Sequence, residues 1–140
     1  MNVLFELPGL FRGPLTGSRR ESVWRCLPAI AYLGLIHALS SVEGRDLPSV
    51  VDDRVAHFLE YFGLGVLLYL AASGFDKAGR SWLVVIAVVS FAAAWGAIDE
   101  FHQSFVPGRD SSVKDFMFDL AGATVSALVV RWLAWRKVHR

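Results

Sequence analysis

Four long apolar runs, separated by short polar stretches, dominate the chain. The runs cover residues 24–42, 55–73, 82–105 and 116–135. Each is close to the roughly 20 residues that an α-helix needs to cross the hydrocarbon of a bilayer, and none carries a polar stripe along its whole length. The pattern therefore predicts an all-α fold, an integral membrane bundle of four transmembrane helices.

The composition favours a membrane protein over a soluble domain. Of the 140 residues, 54% are hydrophobic and 19% are charged, and the mean hydropathy is +0.44. Four buried helices in a soluble chain of this size would leave too little polar surface to cover them. The net charge of +1 provides no basic field, so we expect no nucleic-acid partner. The single Cys26 excludes an intrachain disulfide.

The distribution of Lys and Arg predicts the orientation. Ten of the fourteen lie in the N-terminal segment, between runs two and three, or at the C-terminal end: Arg12, Arg19, Arg20, Arg25, Lys77, Arg80, Arg131, Arg136, Lys137 and Arg140. Positive charge collects on the cytoplasmic side, so we expect both termini in the cytoplasm. Four tryptophans, Trp24, Trp82, Trp132 and Trp135, fall at this same end, as an interfacial aromatic belt would.

The predicted membrane domain covers residues 23–136. It lies between an N-terminal tail, residues 1–22, and a C-terminal tail, residues 137–140. The first fifteen residues lack the basic segment of a secretory signal, and Pro8 and Gly9 interrupt their apolar stretch. We therefore interpret them as a tail rather than as a signal peptide.

Acidic residues collect at the opposite end of the runs, together with most of the other polar groups. Ten of the thirteen lie on or near the predicted non-cytoplasmic face. Acids contribute little to topology, so this asymmetry indicates a site. Helical spacing places polar residues on one face of each of runs two, three and four. Charged groups in hydrocarbon are costly, so these faces are expected to turn toward one another. The candidate site residues are Asp53, His57, Tyr61, Asp99, Glu100, His102, Gln103, Arg109, Asp115 and Asp119.

Local signals predict where the elements begin and end. Pro107 and Gly108 should end run three in a short turn. Ser112, with Asp115 three residues later, has the spacing of a capping box at the start of run four. Asp52, three residues after Ser49, is better read as a helix cap than as a site member.

Several candidates also have simpler structural interpretations. Asp115 suits a helix-start acid, and His57 suits a bond to a backbone carbonyl. Tyr61 fits an aromatic belt equally well. Arg109 suits either a lipid-headgroup anchor or a clamp for a carboxylate or phosphate.

The chemistry remains open on sequence grounds. His57, His102, Asp99, Glu100 and Asp119 could bind a divalent metal, but their spacing is not diagnostic, so we assign no metal ligands and no cofactor. Asp and His pairs also support acid–base catalysis. The chain contains no Gly-x-Ser-x-Gly nucleophile motif and no Walker-type phosphate loop.

Three motifs carry a family resemblance. They read Asp53-Arg-x-x-His57-x-x-x-Tyr61-x-x-Leu64-Gly65, Asp99-Glu100-x-His102-Gln103-x-Phe105-x-Pro107-Gly108-Arg109, and Asp115-x-x-x-Asp119-x-x-Gly122. Together they resemble the VanZ-like family, named for a membrane protein linked to low-level teicoplanin resistance. Relatives often carry Lys at the position of Arg54 and Asn at that of Asp119, and both exchanges suit a charge-pairing role.

The resemblance implies a multi-pass protein of the cytoplasmic membrane of a prokaryote. It suggests a role in glycopeptide resistance or cell-envelope maintenance, with the lipid bilayer and a lipid-linked cell-wall precursor or glycopeptide as partners. We favour a binding protein with an outward-facing polar site. The alternative is an enzyme that acts on an outer-leaflet lipid or lipid-linked precursor by acid–base or metal-assisted chemistry. A transporter is less favoured, because few polar groups continue into the cytoplasmic half.

Overall fold

The computed structural model describes residues 24–44, 52–73 and 82–138, and within them it is all-helical. The helices are α1 (Leu27–Ser40), α2 (Asp53–Ser73), α3 (Trp82–Gln103) and α4 (Val113–Val138). The predicted all-α fold is thus confirmed for these residues. The predicted tail 1–22 and the loop cations Lys77 and Arg80 lie outside the described residues.

Three of these helices are long and apolar enough to cross a membrane. They are Asp53–Ser73, Trp82–Gln103 and the Val113–Arg136 part of α4. The first helix is shorter than the predicted run, with 14 residues, or about 21 Å at 1.5 Å per residue. Pro28 lies in its first turn, where a missing N–H is tolerated. The Ser41 backbone N–H then bonds to the His37 carbonyl and closes its other end.

The surface of the bundle suits lipid. Large apolar side chains point outward along all four helices, which is unusual for a water-soluble monomer. Phe101 and Phe105, predicted to face lipid, are 68% and 71% exposed. This surface and the helix lengths together indicate an integral membrane protein.

Helices α2 and α4 form the most extensive contact in the bundle. A Cβ added to Gly122 would overlap the Phe58 carbonyl, and one added to Gly65 would overlap Ser126. Small residues therefore let the two backbones approach closely, as in other membrane helix pairs. Helix α3 packs against both α2 and α4, and α1 packs against α2 and α3.

The helices define two distinct ends. At one end, which we call the tryptophan end, the Arg131 guanidinium lies 3.9 Å from the centre of the Trp82 ring. At the other, the polar end, α1 and α3 finish and α2 and α4 begin. The Gly44 backbone N–H there donates to the Pro107 carbonyl at 3.1 Å, which joins the segments that follow α1 and α3.

The predicted Pro107–Gly108 turn is present and directs Arg109 back toward the bundle. The Arg109 N–H bonds to the Val106 carbonyl at 3.1 Å, and Gly108 has a φ of 74°. Proline followed by a glycine with positive φ is the pattern of a type II turn. Helix α3 itself ends at Gln103, two residues before the end of the predicted run.

Candidate functional site

A buried imidazole–carboxylate pair lies at the polar end and joins α2 to α4. His57 Nδ1 is 2.9 Å from Asp119 Oδ1, and the two side chains are 3% and 1% exposed. Burying both groups is favourable only when they are well paired. The close approach at Gly122 allows this distance, because it brings the α4 backbone within contact of α2.

Glu100 of α3 completes a three-residue group that we call the His57 cluster: His57, Glu100 and Asp119. One potential ligand atom from each lies within 4.8 Å of the others, and all three residues are buried. Glu100 Oε2 also accepts the backbone N–H of Ser112 at 2.6 Å. The carboxylate of α3 is therefore held in place by the N-terminus of α4.

The start of α4 follows the predicted capping box only in part. Ser112 Oγ accepts the backbone N–H of Asp115 at 3.4 Å and that of Lys114 at 3.2 Å. In a complete capping box, the Asp115 side chain would accept the backbone N–H of Ser112. Glu100 accepts this N–H instead. A similar prediction is confirmed at α2, where Asp52 Oδ1 accepts the Arg54 N–H at 3.0 Å and caps the helix.

Three further predicted site residues surround the His57 cluster. Asp115 is buried, and Asp53 and Asp115 also form a possible ligand group with His57. Arg109 Nη1 lies 3.8 Å from Asp53 Oδ1, with the arginine 11% and the aspartate 62% exposed. Asp53 and Arg109 therefore form a looser pair at the rim of the site.

Several buried polar atoms have no hydrogen-bond partner among the described residues. They include Glu100 Oε1, Asp119 Oδ2, Arg109 Nε and the Tyr61 hydroxyl. Buried polar atoms are nearly always satisfied in native proteins. Glu100 Oε1 and Asp119 Oδ2 belong to the His57 cluster, whereas two further atoms of this kind, Asp99 Oδ1 and Trp95 Nε1, lie outside it.

Asp99 and Gln103 belong to a different network, which faces α1. Asp99 Oδ2 accepts hydrogen bonds from Ser40 Oγ at 2.7 Å and from Gln103 Nε2 at 3.1 Å. All three residues are buried. The predicted polar face of run three is thus divided, because Glu100 turns toward α2 and α4 while Asp99 and Gln103 turn toward α1.

His102 also lies toward α1. Its Nε2 is 3.0 Å from Ser41 Oγ, and its ring centre is 4.6 Å from that of His37. Ser40, Ser41 and His37 were not among the predicted site residues. One sequence feature could have indicated them: a His and two Ser residues follow an apolar stretch at the polar end of run one.

Comparison with known proteins identifies the family of the chain. The sequence model of the VanZ/LLP1 family matches residues 13–134, nearly the whole chain. The chain belongs to the VanZ/LLP1 family. The resemblance inferred from the three motifs is thereby confirmed. No curated protein and no solved structure matches the chain.

A small open cavity of about 180 Å³ lies beside Glu100, between α3 and α4 of this VanZ/LLP1 protein. Six residues line it: Ala97, Glu100, Ser111, Ser112, Val113 and Phe116. Ala97 and Val113 are exposed on the apolar surface of the bundle. The cavity therefore connects the buried carboxylate of Glu100 with the lipid-facing side.

Proposed function

We propose that this protein crosses the cytoplasmic membrane of a prokaryote four times, with both termini in the cytoplasm. In this arrangement the polar end binds the anionic headgroup of an envelope lipid or lipid-linked cell-wall precursor. The orientation is supported by the excess of Lys and Arg in the N-terminal segment, between runs two and three and at the C-terminal end of the sequence. The short α1 fits a span completed by its flanking residues and by local thinning of the bilayer.

The observation that carries this proposal is the incompletely paired Arg109. Its Nε has no partner among the described residues, and its contact with the Asp53 carboxylate is as long as 3.8 Å. An arginine fork binds phosphate or carboxylate through two parallel hydrogen bonds. A headgroup phosphate at the rim would satisfy Arg109 without breaking a strong internal ion pair.

The cavity beside Glu100 supports a lipid over a soluble ligand. It opens next to the exposed apolar side chain of Val113, so acyl chains can stay in the bilayer while the headgroup reaches the polar end. Ser111 and Ser112 line the same cavity and offer hydroxyl groups to polar headgroup atoms. The resemblance to VanZ-like proteins suggests that this binding serves envelope maintenance or glycopeptide resistance.

A lipid-binding measurement tests the proposal directly. Native mass spectrometry of the purified full-length protein would be compared between wild type and Arg109→Gln, with phosphatidylglycerol and undecaprenyl phosphate as probes. Arg54→Gln is the matched control, because Arg54 is an exposed arginine at the same end. We expect Arg109→Gln to weaken binding of one probe about tenfold or more, as loss of a charge-assisted bidentate contact does. Equal loss in both variants, or no loss, would refute a specific role for Arg109.

A cellular experiment tests the envelope role. Teicoplanin susceptibility and survival of envelope stress would be compared in deletion and overexpression strains. We expect overexpression of wild type, but not of Arg109→Gln, to change teicoplanin susceptibility or survival of envelope stress. Unchanged responses in both strains would count against any envelope function.

The His57–Asp119 hydrogen bond beside Glu100 favours a second candidate, an enzyme acting on an outer-leaflet lipid or lipid-linked precursor. An imidazole oriented by one carboxylate and close to another is an arrangement suited to acid–base chemistry. Lipid profiles of cells that express His57→Ala or Glu100→Gln would be compared with those of wild type. Identical profiles would argue for binding without catalysis.

A further inference from the structure

The His57 cluster has too many carboxylates for its cations. Glu100 and Asp119 belong to it, and Asp99 and Asp115 are buried on the same helices. A protonated His57 would balance only one of these charges, and Arg109 is directed at Asp53 on the rim. Uncompensated carboxylates at the edge of a bilayer are costly. Protonation of the remaining carboxylates or a bound cation would neutralise this charge.

We propose that His57, Glu100 and Asp119 bind a divalent transition-metal ion. The proposed metal site lies within the site of the proposed function. It rests on that function only for the further contact between the ion and the lipid headgroup. One nitrogen and two carboxylate oxygens lie within 4.8 Å of one another. Ligand bonds of about 2.0–2.2 Å place neighbouring atoms of a tetrahedral site roughly 3.3–3.6 Å apart, so side-chain rotations that shorten the longer separations would close the site.

The free atoms point to the same conclusion independently. Glu100 Oε1 and Asp119 Oδ2 are buried and have no partner among the described residues. Glu100 Oε2 is already held by the Ser112 N–H at 2.6 Å, and a carboxylate oriented in this way is typical of metal ligands. The 2.9 Å hydrogen bond between His57 and Asp119 would be exchanged for bonds from both side chains to the ion, because the coordinating nitrogen must be unprotonated.

The donor set selects the class of ion. One imidazole and two carboxylates suit Mn²⁺, Fe²⁺ or Zn²⁺ better than Ca²⁺ or Mg²⁺, which prefer oxygen ligands alone. Three protein ligands leave open coordination positions for water or for a phosphate oxygen. The ion would then add a second contact for the headgroup that Arg109 binds.

Purified full-length protein, stripped of metal, is titrated with MnCl₂, and free Mn²⁺ is followed by electron paramagnetic resonance. A parallel titration with ZnCl₂ is followed by calorimetry. No lipid probe is added. We expect saturable binding of one ion per chain in wild type. Glu100→Gln and Asp119→Asn should each lower the affinity about tenfold or more, and His57→Ala should lower it further. Asp99→Asn is the matched control, because Asp99 is an equally buried acid outside the cluster, and it should bind as wild type does.

The possible results are decisive. Wild type without saturable binding of either ion, or an affinity unchanged in all three cluster variants, overturns the inference. Asp115→Asn is also measured, because Asp115 forms a neighbouring possible ligand group with Asp53 and His57. If only Asp115→Asn and His57→Ala lose metal affinity, the assignment of Glu100 and Asp119 as ligands is overturned. Size-exclusion profiles identify any variant that has unfolded, and the near-isosteric Glu100→Gln keeps the test valid if His57→Ala fails to fold. Because Arg109-dependent lipid binding is measured separately, failure of the metal site is distinguishable from failure of the proposed function.

Discussion

Ser40 Oγ donates a hydrogen bond of 2.7 Å to Asp99 Oδ2, and this bond attaches the end of α1 to α3. Both side chains are 3% exposed. The bond gives α1, the shortest of the four described helices, a polar attachment in addition to its apolar packing. Hydrogen bonds between membrane helices contribute about 0.6 kcal/mol on average and up to roughly 1.7 kcal/mol.

We expect Ser40→Ala to destabilise the protein by about 1–2 kcal/mol, because it removes one donor from a buried carboxylate. Thermal unfolding of the purified protein in detergent would measure the change. Ser90→Ala is the control, since Ser90 is an exposed serine on α3. An equally small effect for both variants would show that the Ser40–Asp99 bond contributes little to stability.

The buried His57–Asp119 pair should behave as a unit. We expect His57→Ala or Asp119→Ala alone to cost about 3–5 kcal/mol, because each leaves a buried polar partner unpaired. The double variant should cost less than the sum of the two, with a coupling of roughly 0.5–3 kcal/mol. A double-mutant cycle of unfolding free energies measures this coupling. Strict additivity would contradict a direct interaction.

Gly122 should tolerate no larger residue. A Cβ at this position would overlap the Phe58 carbonyl and crowd the Phe62 amide nitrogen. We therefore expect Gly122→Ala to separate α2 from α4 and to destabilise the protein by about 1–3 kcal/mol or more, as overpacking of cores does. Gly34→Ala is a matched glycine control on α1, where a Cβ would meet nothing within 4 Å. That variant should be neutral or slightly stabilising.

The conformation of Gly108 should control the placement of Arg109. Its φ of 74° costs a non-glycine residue about 1–2 kcal/mol, so we expect Gly108→Ala to lower stability by that amount. It should also weaken the Arg109-dependent lipid binding, because the strained turn no longer directs Arg109 toward Asp53. Native mass spectrometry with the two lipid probes measures the second effect. Unchanged lipid binding would separate the turn from the site.

Topology is tested by labelling of single cysteines in a Cys26→Ser background. We expect Ser111→Cys in whole cells to react with a membrane-impermeant maleimide, because residue 111 belongs to the proposed exterior end. Lys77→Cys should react only after the membrane is permeabilised. The reverse pattern would place the Pro107–Gly108 turn in the cytoplasm and contradict the proposed orientation.

The sequence predicted elements whose causes are local. Asp52 and Ser112 cap their helices because the required side-chain oxygens stand directly before the helical residues. Phe101 and Phe105 face outward because their spacing sets them opposite a polar face. These outcomes depend on a few neighbouring residues and the helical period.

The sequence did not predict features that depend on which helices meet. Periodicity placed Asp99, Glu100 and His102 near one another on run three, but it carries no information about the neighbour that each will contact. The structure directs Asp99 and His102 toward Ser40 and Ser41 at the end of α1, and Glu100 toward the start of α4. The length of α1 was overestimated for a related reason, since hydropathy does not report where a helical backbone ends.

One carboxylate of the cluster owes its orientation to the main chain rather than to a side chain. Glu100 is held by the peptide nitrogen of Ser112, and alanine scanning leaves that nitrogen in place. A systematic scan would therefore overlook one of the groups that shapes the site. Ser112→Pro, or an amide-to-ester exchange at the same peptide bond, removes the donor and reveals its contribution.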